Sequence, residues 1–88
     1  MQEKLLTLVV LAGRTPEARL GLAISARAVP LATRRNRIKR LARESFRTRR
    51  GELPAADLVL QARAGAGAAG AEELRSTLER LWRRVSET

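Results

Sequence analysis

The chain has 88 residues, with 18 Lys or Arg against nine Asp or Glu, and a net charge of +9 at pH 7. This length suits one small domain, and the absence of Cys and His excludes disulfides, thiolate metal sites and histidine-based acid–base catalysis. The longest apolar run, residues 5–12, is too short to span a bilayer and carries no signal-peptide pattern, so the sequence predicts a soluble, cytoplasmic protein.

Two strands are predicted first. Residues 5–12 are apolar on both faces, as expected for a strand that is covered on both sides. Residues 13–17 contain Gly and Pro and predict a turn. Residues 19–26 alternate large apolar residues with small ones, which indicates a second strand with one large and one small face. The short connection between them predicts a hairpin.

A basic helix is predicted after Pro30, with Thr33 at its N-cap and with Gly51 and Pro54 ending it. Its apolar positions recur at the spacing of a stripe that faces a core. That stripe consists of Ile38, Leu41, Ala42, Ser45 and Phe46.

A third strand and a second helix follow, at residues 57–63 and 72–85. The strand places Leu58 and Leu60 on one face and Val59 on the other. The helix begins with acids and ends with arginines, as its dipole favours. Its apolar stripe consists of Leu74, Leu78, Leu81, Trp82 and Val85. The predicted order within one domain, residues 1–88, is strand, strand, helix, strand, helix.

The charge is concentrated on the first helix and its flanks, which hold half of the Lys and Arg residues and a single acid, Glu44. Asn36, Arg40 and Arg43 point most clearly away from the apolar stripe, and Arg40 can pair with Glu44 one turn later. Arg35 lies nearer to the stripe, in a partly structural position. Because guanidinium groups grip phosphates and stack on bases, this surface indicates nucleic-acid binding rather than a merely solvated charged face.

Residues 65–70 match the pattern Gly-x-Gly-x-x-Gly of dinucleotide-binding turns. Glu72 and Glu73 would repel a pyrophosphate there, and neither a second strand–helix unit nor a ribose-binding acid follows. The sequence therefore favours a flexible connection at this point.

Catalysis by protein side chains has little support. The acids are scattered, the serines have no evident base, and no spacing for three metal ligands is present. The sequence predicts neither a protein active site nor a cofactor or metal bound by the protein alone.

The basic helix resembles the signature of the bacterial ribonuclease P protein subunit: Arg-Asn-Arg, then Lys-Arg, then Arg-Glu-x-Phe-Arg. The resemblance covers most of residues 5–84. The chain is expected to lack the usual N-terminal helix and first short strand, and it supplies only Arg27 in the turn where a further lysine is usual. The matching segments are residues 19–25, 35–37, 39–40, 43–47, 52–54, 57–60 and 81–84.

The resemblance implies a small α+β two-layer sandwich with a left-handed crossover from the second strand, through the basic helix, to a parallel neighbour. It implies the RNA-binding component of ribonuclease P, which assists RNA-catalysed removal of the 5′ leader from precursor tRNA. Catalysis would come from the RNA subunit, with Mg²⁺ in the RNA–protein holoenzyme. The implied RNA contacts are Arg27, Arg34, Arg35, Asn36, Arg37, Lys39, Arg40, Arg43 and Arg47.

The small face of the second strand, formed by Gly21, Ala23 and Ser25, is implied to take the single-stranded leader. The alternative is that another element packs closely there. If the N-terminal module is missing, the strand at residues 5–12 is expected to expose an apolar surface that invites self-association.

Two other functional classes remain open. One is a general RNA-binding or ribosomal-type protein with no associated enzyme. The other is a DNA-binding protein that places the basic helix in a major groove, which is disfavoured because no helix-turn-helix pair surrounds that helix.

Overall fold

The structure, a computed structural model, describes residues 1–12 and 16–87, and it has the predicted element order. Residues 13–15 of the predicted turn lie outside the described residues. The elements are β1 (Leu6–Ala12), β2 (Arg19–Ala23), α1 (Ala32–Arg49), β3 (Ala56–Ala62) and α2 (Ala71–Ser86), with short 3-10 turns at Arg50–Glu52 and Ala66–Ala68.

The three strands form one sheet in the order β1-β3-β2, with β3 antiparallel to β1 and parallel to β2. The predicted hairpin is therefore wrong, since β1 and β2 lie on opposite sides of β3. The reason is that β2 leads into α1, which returns the chain to a parallel neighbour. This position goes to β3, whose Leu58 and Leu60 are fully buried. The left hand of the crossover stays a prediction.

The core lies between one face of the sheet and the two helices. Leu6 and Leu8 of β1 and Leu58 and Leu60 of β3 are fully buried there, with Leu8 directly opposite Leu60. Both predicted apolar stripes are confirmed: every residue of the α2 stripe is buried, and of the α1 stripe only Ser45 is half-buried. Thr77 is buried as well, and its hydroxyl is satisfied there by donating to the Glu73 carbonyl at 2.9 Å.

The opposite face of the sheet is open. Alternation brings Val9 and Leu11 of β1 to this face, where they are 37% and 51% exposed. The prediction that β1 is covered on both sides is wrong, because both helices pack against the other face.

The ends of α1 differ in how well the sequence predicts them. The helix begins at Ala32 with an extended Leu31 at its N-cap and no side-chain cap, so the predicted cap at Thr33 is wrong. The carbonyl of Leu31 accepts from the backbone N–H groups of Arg34 and Arg35, at 3.1 Å each, which fixes this start. The predicted end is confirmed, since a 3-10 turn containing Gly51 leads into extended Leu53.

The glycine-rich segment forms a packed turn rather than the flexible connection that was expected. Gly65 has a φ of 95°, which favours glycine. Ala66, the first residue of the 3-10 turn, and Ala69, which follows it, are buried. A Cβ on Gly67 would lie 3.0 Å from Val29 Cγ1, so glycine there allows two turns to approach closely.

Candidate nucleic-acid interface

The side of α1 turned away from the sheet carries a group of exposed polar residues, which we call the basic face. Among residues 1–12 and 16–87, none of their side chains pairs with a carboxylate. Unpaired surface guanidinium groups keep their full charge for an external anion. The basic face consists of Asn36, Arg40, Arg43 and Arg47. Arg34 is also exposed and unpaired among the described residues, but it lies one turn before Ile38, at the N-terminal end of the helix side that carries the apolar stripe.

Two other predicted contacts are Arg27 and Lys39. Arg27 is exposed in the turn before α1, and Lys39 is half-buried on the helix. The possible pair between Arg40 and Glu44 is not formed, although both side chains are exposed and lie one turn apart. Glu44 therefore does not neutralise the arginine beside it.

Arg35 and Arg37 turn their guanidinium groups towards the protein backbone. Arg35 donates from Nη1 to the carbonyls of Val29 and Pro30, at 2.8 and 2.9 Å. Arg37 donates from Nη2 to the Ala69 carbonyl at 2.6 Å, while its Nε is buried without a partner. Both side chains are half-buried, so of the Arg-Asn-Arg tripeptide only Asn36 is fully presented to solvent.

The arginines at the C-terminal end of α1 are neutralised. Arg49 lies 3.0 Å from both Glu52 and Glu79, although its Nε contact with Glu52 lacks hydrogen-bond geometry. Arg50 pairs with Glu17 at 3.1 Å and lies over the Phe46 ring. The basic block of the sequence is therefore divided, and its free charge lies on the helix before Arg49.

The uncharged residues of the signature hold the two helices together. The ring centroids of Phe46 and Trp82 lie 5.8 Å apart in an edge-to-face arrangement, and both side chains are buried. The Trp82 indole Nε1 donates to the Ser45 hydroxyl at 2.7 Å. Neither aromatic ring is available to stack on a base.

The predicted leader cleft coincides with the open face of the sheet. Gly21 and Ala23 are exposed on it, and a Cβ on Gly21 would meet nothing closer than 3.8 Å. Ser25 lies beyond the end of β2, where its hydroxyl accepts from the Ala28 N–H at 3.1 Å. Two of the three predicted residues thus share the face, while Ser25 shapes the turn that follows it.

One ion pair on this face was not predicted. Arg19 Nε and Nη2 donate to the two carboxylate oxygens of Asp57, at 2.8 and 3.1 Å. The hydrogen bond from Arg19 lowers the pKa of Asp57, and the same bond raises the pKa of Arg19. The pair keeps the acid from presenting a free negative charge to an anionic ligand. Strand pairing reveals it, since Arg19 and Asp57 are partners only in the parallel register.

Neither a metal site nor a membrane span is found in the described part of the chain. Its carboxylates form no group of three or more that could hold a metal ion. No helix there is both long and apolar enough to cross a bilayer.

The family model described as Ribonuclease P matches residues 1–86. This chain belongs to the ribonuclease P protein family. The ribonuclease P protein component of Erwinia tasmaniensis is 52% identical over 66 residues, which are 75% of this chain and 56% of that protein. The component from Saccharophagus degradans is 44% identical over 71 residues, 81% of this chain and 53% of that protein. The chain thus spans about half the length of the curated relatives that it matches.

Solved structures agree with the fold. The ribonuclease P protein from Staphylococcus aureus has a TM-score of 0.87 at 24% identity, covering 96% of this chain and 77% of that one. The ribonuclease P protein from Thermotoga maritima, in complex with 1-(4-fluorophenyl)-2-thiourea, has a TM-score of 0.85 at 27% identity, covering 97% and 83%. The expected α+β fold, with a three-stranded sheet and two helices, is confirmed.

Proposed function

We propose that this chain is the RNA-binding protein component of ribonuclease P and that it binds the catalytic RNA through the basic face of α1. The observation that carries the proposal is that Arg34, Arg40, Arg43 and Arg47 are exposed on one helix and that no acid of residues 1–12 or 16–87 pairs with them. Each guanidinium group can bind a phosphate and release its counterions, which is the main source of affinity for a polyanion. Asn36 would add a hydrogen bond within this surface, and Lys39 and Arg27 would add contacts beside it.

The RNA subunit would carry the cleavage chemistry. The described side chains include no histidine and no group of acids suited to Mg²⁺, so they do not fit a protein-borne metal site. The Mg²⁺ expected in the holoenzyme would be held by RNA phosphates, because Mg²⁺ prefers hard oxygen ligands. The protein would act by reducing repulsion between two polyanions, the catalytic RNA and the precursor tRNA.

The open face of the sheet is the proposed place for the single-stranded 5′ leader. Gly21 and Ala23 leave room across β2, and Val9 and Leu11 offer apolar contact beside them. Grooves for single strands usually add aromatic platforms, but Phe46 and Trp82 are committed to the core. Leader binding would therefore rest on shape and aliphatic contact. We place this role in the bacterial cytoplasm, where precursor tRNA would be processed.

The test is reconstitution. The chain is mixed with bacterial ribonuclease P RNA and precursor tRNA at a low Mg²⁺ concentration, and 5′ leader cleavage is followed on a gel. We expect cleavage to be stimulated, and an Arg40→Ala/Arg43→Ala variant to stimulate it less. Tight RNA binding without stimulation would instead support a general RNA-binding protein with no associated enzyme.

The uncovered face of β1 is also a proposed contact between two copies of the chain. Val9 and Leu11 are 37% and 51% exposed on this face, and β1 is an edge strand. Exposed apolar edges of this kind favour association. A second copy would occupy the surface proposed for the leader, so the two interactions would compete.

A further inference from the structure

A second surface adjoins the basic face at the N-terminal end of α1. It is a groove of about 330 Å³ between the turn that precedes α1 and the glycine-rich turn that precedes α2. Ala28 and Leu31 line one side, Gly67 and Ala68 line the other, and Arg34 lies at the rim. Its walls are mostly aliphatic, and its volume is near the lower end of the range for small-molecule clefts, about 300–1,000 Å³.

The groove has an apolar side chain where a soluble helix usually has a polar one. Leu31 occupies the N-cap position of α1 and, at 54%, is the most exposed of the large apolar side chains in the described residues. Helix N-caps favour Ser, Thr, Asp or Asn, so Leu31 contributes nothing to capping through its side chain. An exposed leucine beside a strongly positive surface is suited to a ligand that combines an apolar face with a neighbouring anionic group.

The groove is held open by the two inward-turned arginines of the signature. Arg35 binds the carbonyls of Val29 and Pro30, which form the first wall. Arg37 binds the carbonyl of Ala69, immediately after the second wall. Each arginine fixes one turn to α1, so the groove and the basic face keep a constant geometry relative to each other.

Glycine is needed where the walls come closest. A Cβ on Gly67 would lie 3.0 Å from Val29 Cγ1 and 3.7 Å from Arg34 Cδ. The aliphatic part of Arg34 therefore passes over Gly67, and its guanidinium group remains at the rim, exposed and unpaired among the described residues.

We propose that this groove is a nucleotide site, in which one unpaired base of the catalytic RNA inserts between the two turns while its phosphate binds Arg34. The inference rests on the proposed function, because it requires the RNA to lie along the basic face. The walls offer aliphatic contact rather than a set of side-chain hydrogen-bond groups, so the site accepts an unstacked base with little preference for its identity. Arg35 and Arg37 are positioning residues that hold the walls.

The experiment measures the affinity of the full chain for bacterial ribonuclease P RNA over a range of salt concentrations. Leu31→Ala removes apolar contact from the exposed edge of the groove without touching the core. We expect affinity to fall roughly 5- to 10-fold at every salt concentration, with the slope of log K against log[salt] unchanged. Ala68→Leu, which fills the groove from the other wall, should give a similar loss.

Two comparisons separate this site from the basic face. Val10→Ala removes an exposed aliphatic side chain elsewhere and should change affinity less than about twofold. Arg40→Ala should reduce the salt slope by about one. Chemical probing of the RNA should show one locally exposed nucleotide with Leu31→Ala and Ala68→Leu, and no such nucleotide with Val10→Ala.

The role of Arg37 is tested with a double-mutant cycle. Arg37→Lys keeps the charge but loses the planar donor to Ala69, so it should weaken RNA binding without changing the slope. If Arg37 acts through the groove, Leu31→Ala should cost much less affinity in the Arg37→Lys background than alone. A merely structural Arg37 would lower Tm and leave the two losses in affinity additive.

The outcomes distinguish the two proposals. If Leu31→Ala and Ala68→Leu bind like the parent while Arg40→Ala changes the slope, the groove is empty in the complex and this inference is overturned, whereas the proposed function stands. If the parent chain does not bind the RNA, both are wrong. If Leu31→Ala lowers the slope together with the affinity, the contact is electrostatic and no base is inserted.

Discussion

The indole N–H of Trp82 in α2 donates a 2.7 Å hydrogen bond to the hydroxyl of Ser45 in α1. Trp82 is fully buried, so this hydroxyl is what satisfies the indole nitrogen away from water. Ser45 also approaches Glu79 at 3.4 Å, which in turn binds Arg49. Within the same segment Arg43 and Arg47 face outward, while Ser45 and Phe46 join the two helices.

Ser45→Ala should therefore destabilise the fold. The substitution leaves a buried donor without an acceptor, which costs about 1–2 kcal/mol. For a domain of this size that corresponds to a decrease in Tm of roughly 5–15 °C, measurable by thermal melts followed by circular dichroism. Ser76→Ala, on the exposed side of α2, is the matched control and should melt close to the parent. An unchanged Tm for Ser45→Ala would mean that the indole finds another acceptor.

The salt dependence of RNA binding should report on the basic face. If about five phosphates are neutralised, log K against log[salt] should have a slope of roughly −3 to −5. Arg40→Ala/Arg43→Ala should flatten it by about 1–2, as measured by fluorescence anisotropy with the catalytic RNA. Arg80→Ala, which removes an arginine of α2 that pairs with Glu3, should leave the slope near that of the parent. Equal slopes for all three proteins would place the RNA on another surface.

Gly21→Val should block the open face of the sheet without unfolding it. A Cβ at this position meets only ordinary contacts, 3.8 Å from the Leu58 carbonyl and 3.9 Å from Val59 Cγ2. In the reconstituted enzyme we expect about a fivefold loss of affinity for precursor tRNA with its leader, equivalent to about 1 kcal/mol. Affinity for tRNA without a leader should be unchanged. Gly51→Val, at a site with nothing within 4 Å of the added Cβ, is the control. Equal losses of affinity for tRNA with and without the leader would show that the leader does not bind this face.

Glu3 should contribute a pH-dependent link between the N-terminal residues and α2. Its carboxylate accepts from Arg80 and Arg84, both at 2.9 Å, and the hydrogen bond from Arg80 is the main reason that the pKa of Glu3 lies below its ordinary value of 4.5. Because the folded state favours the ionised form, this stabilisation is complete above about pH 4.5 and is lost as the pH falls through the lower, folded pKa.

Glu3→Gln tests this link. At neutral pH the variant should lose about 0.5–1 kcal/mol of stability, since Arg80 and Arg84 are about half exposed and screened by solvent. The corresponding decrease in Tm is roughly 2–6 °C. The difference from the parent should shrink as the pH falls below 4.5. Glu44→Gln, which removes an exposed acid outside the ion pairs described, should show no such pH dependence.

The exposed strand β1 should support self-association. We expect light scattering of the purified chain to show a mass that rises with protein concentration. Leu11→Ser should suppress the rise, because Leu11 is 51% exposed, more than Val9 or Val10. Thr48→Ala, an exposed change on α1, should not affect it. Added precursor tRNA should reduce the self-association of the chain if the leader binds the same face. A mass that does not change with concentration would show that the chain is a monomer in which β1 stays exposed.

The local elements of the fold could be predicted from the sequence because their signals are local. The apolar stripes of both helices follow a period of 3.6 residues. Their residues, from Ile38 to Phe46 in α1 and from Leu74 to Val85 in α2, lie where that period places them. Leu58 and Leu60 likewise face the core by strand alternation. The basic face could be predicted for the same reason: once Leu41 and Phe46 are buried, helix geometry sends Arg40 and Arg43 outward.

Strand pairing could not be read from the sequence. The expected hairpin of β1 and β2 fails because pairing depends on how α1 returns the chain to the sheet, and β3 enters between them. The bond between Arg19 and Asp57 depends on the same register, over 38 residues of separation.

The sequence by itself determined which segments are helices and strands, which side chains of the two helices are buried, and where the positive charge lies, because each follows from periodicity along one segment. Tertiary structure alone decided which arginines are free. Arg37, Arg49 and Arg50 find carbonyls or carboxylates that belong to distant turns and helices, whereas Arg40 and Arg43 find none among the described residues. A guanidinium group can reach any acceptor that folding brings near it, and only the packed chain fixes those acceptors in space.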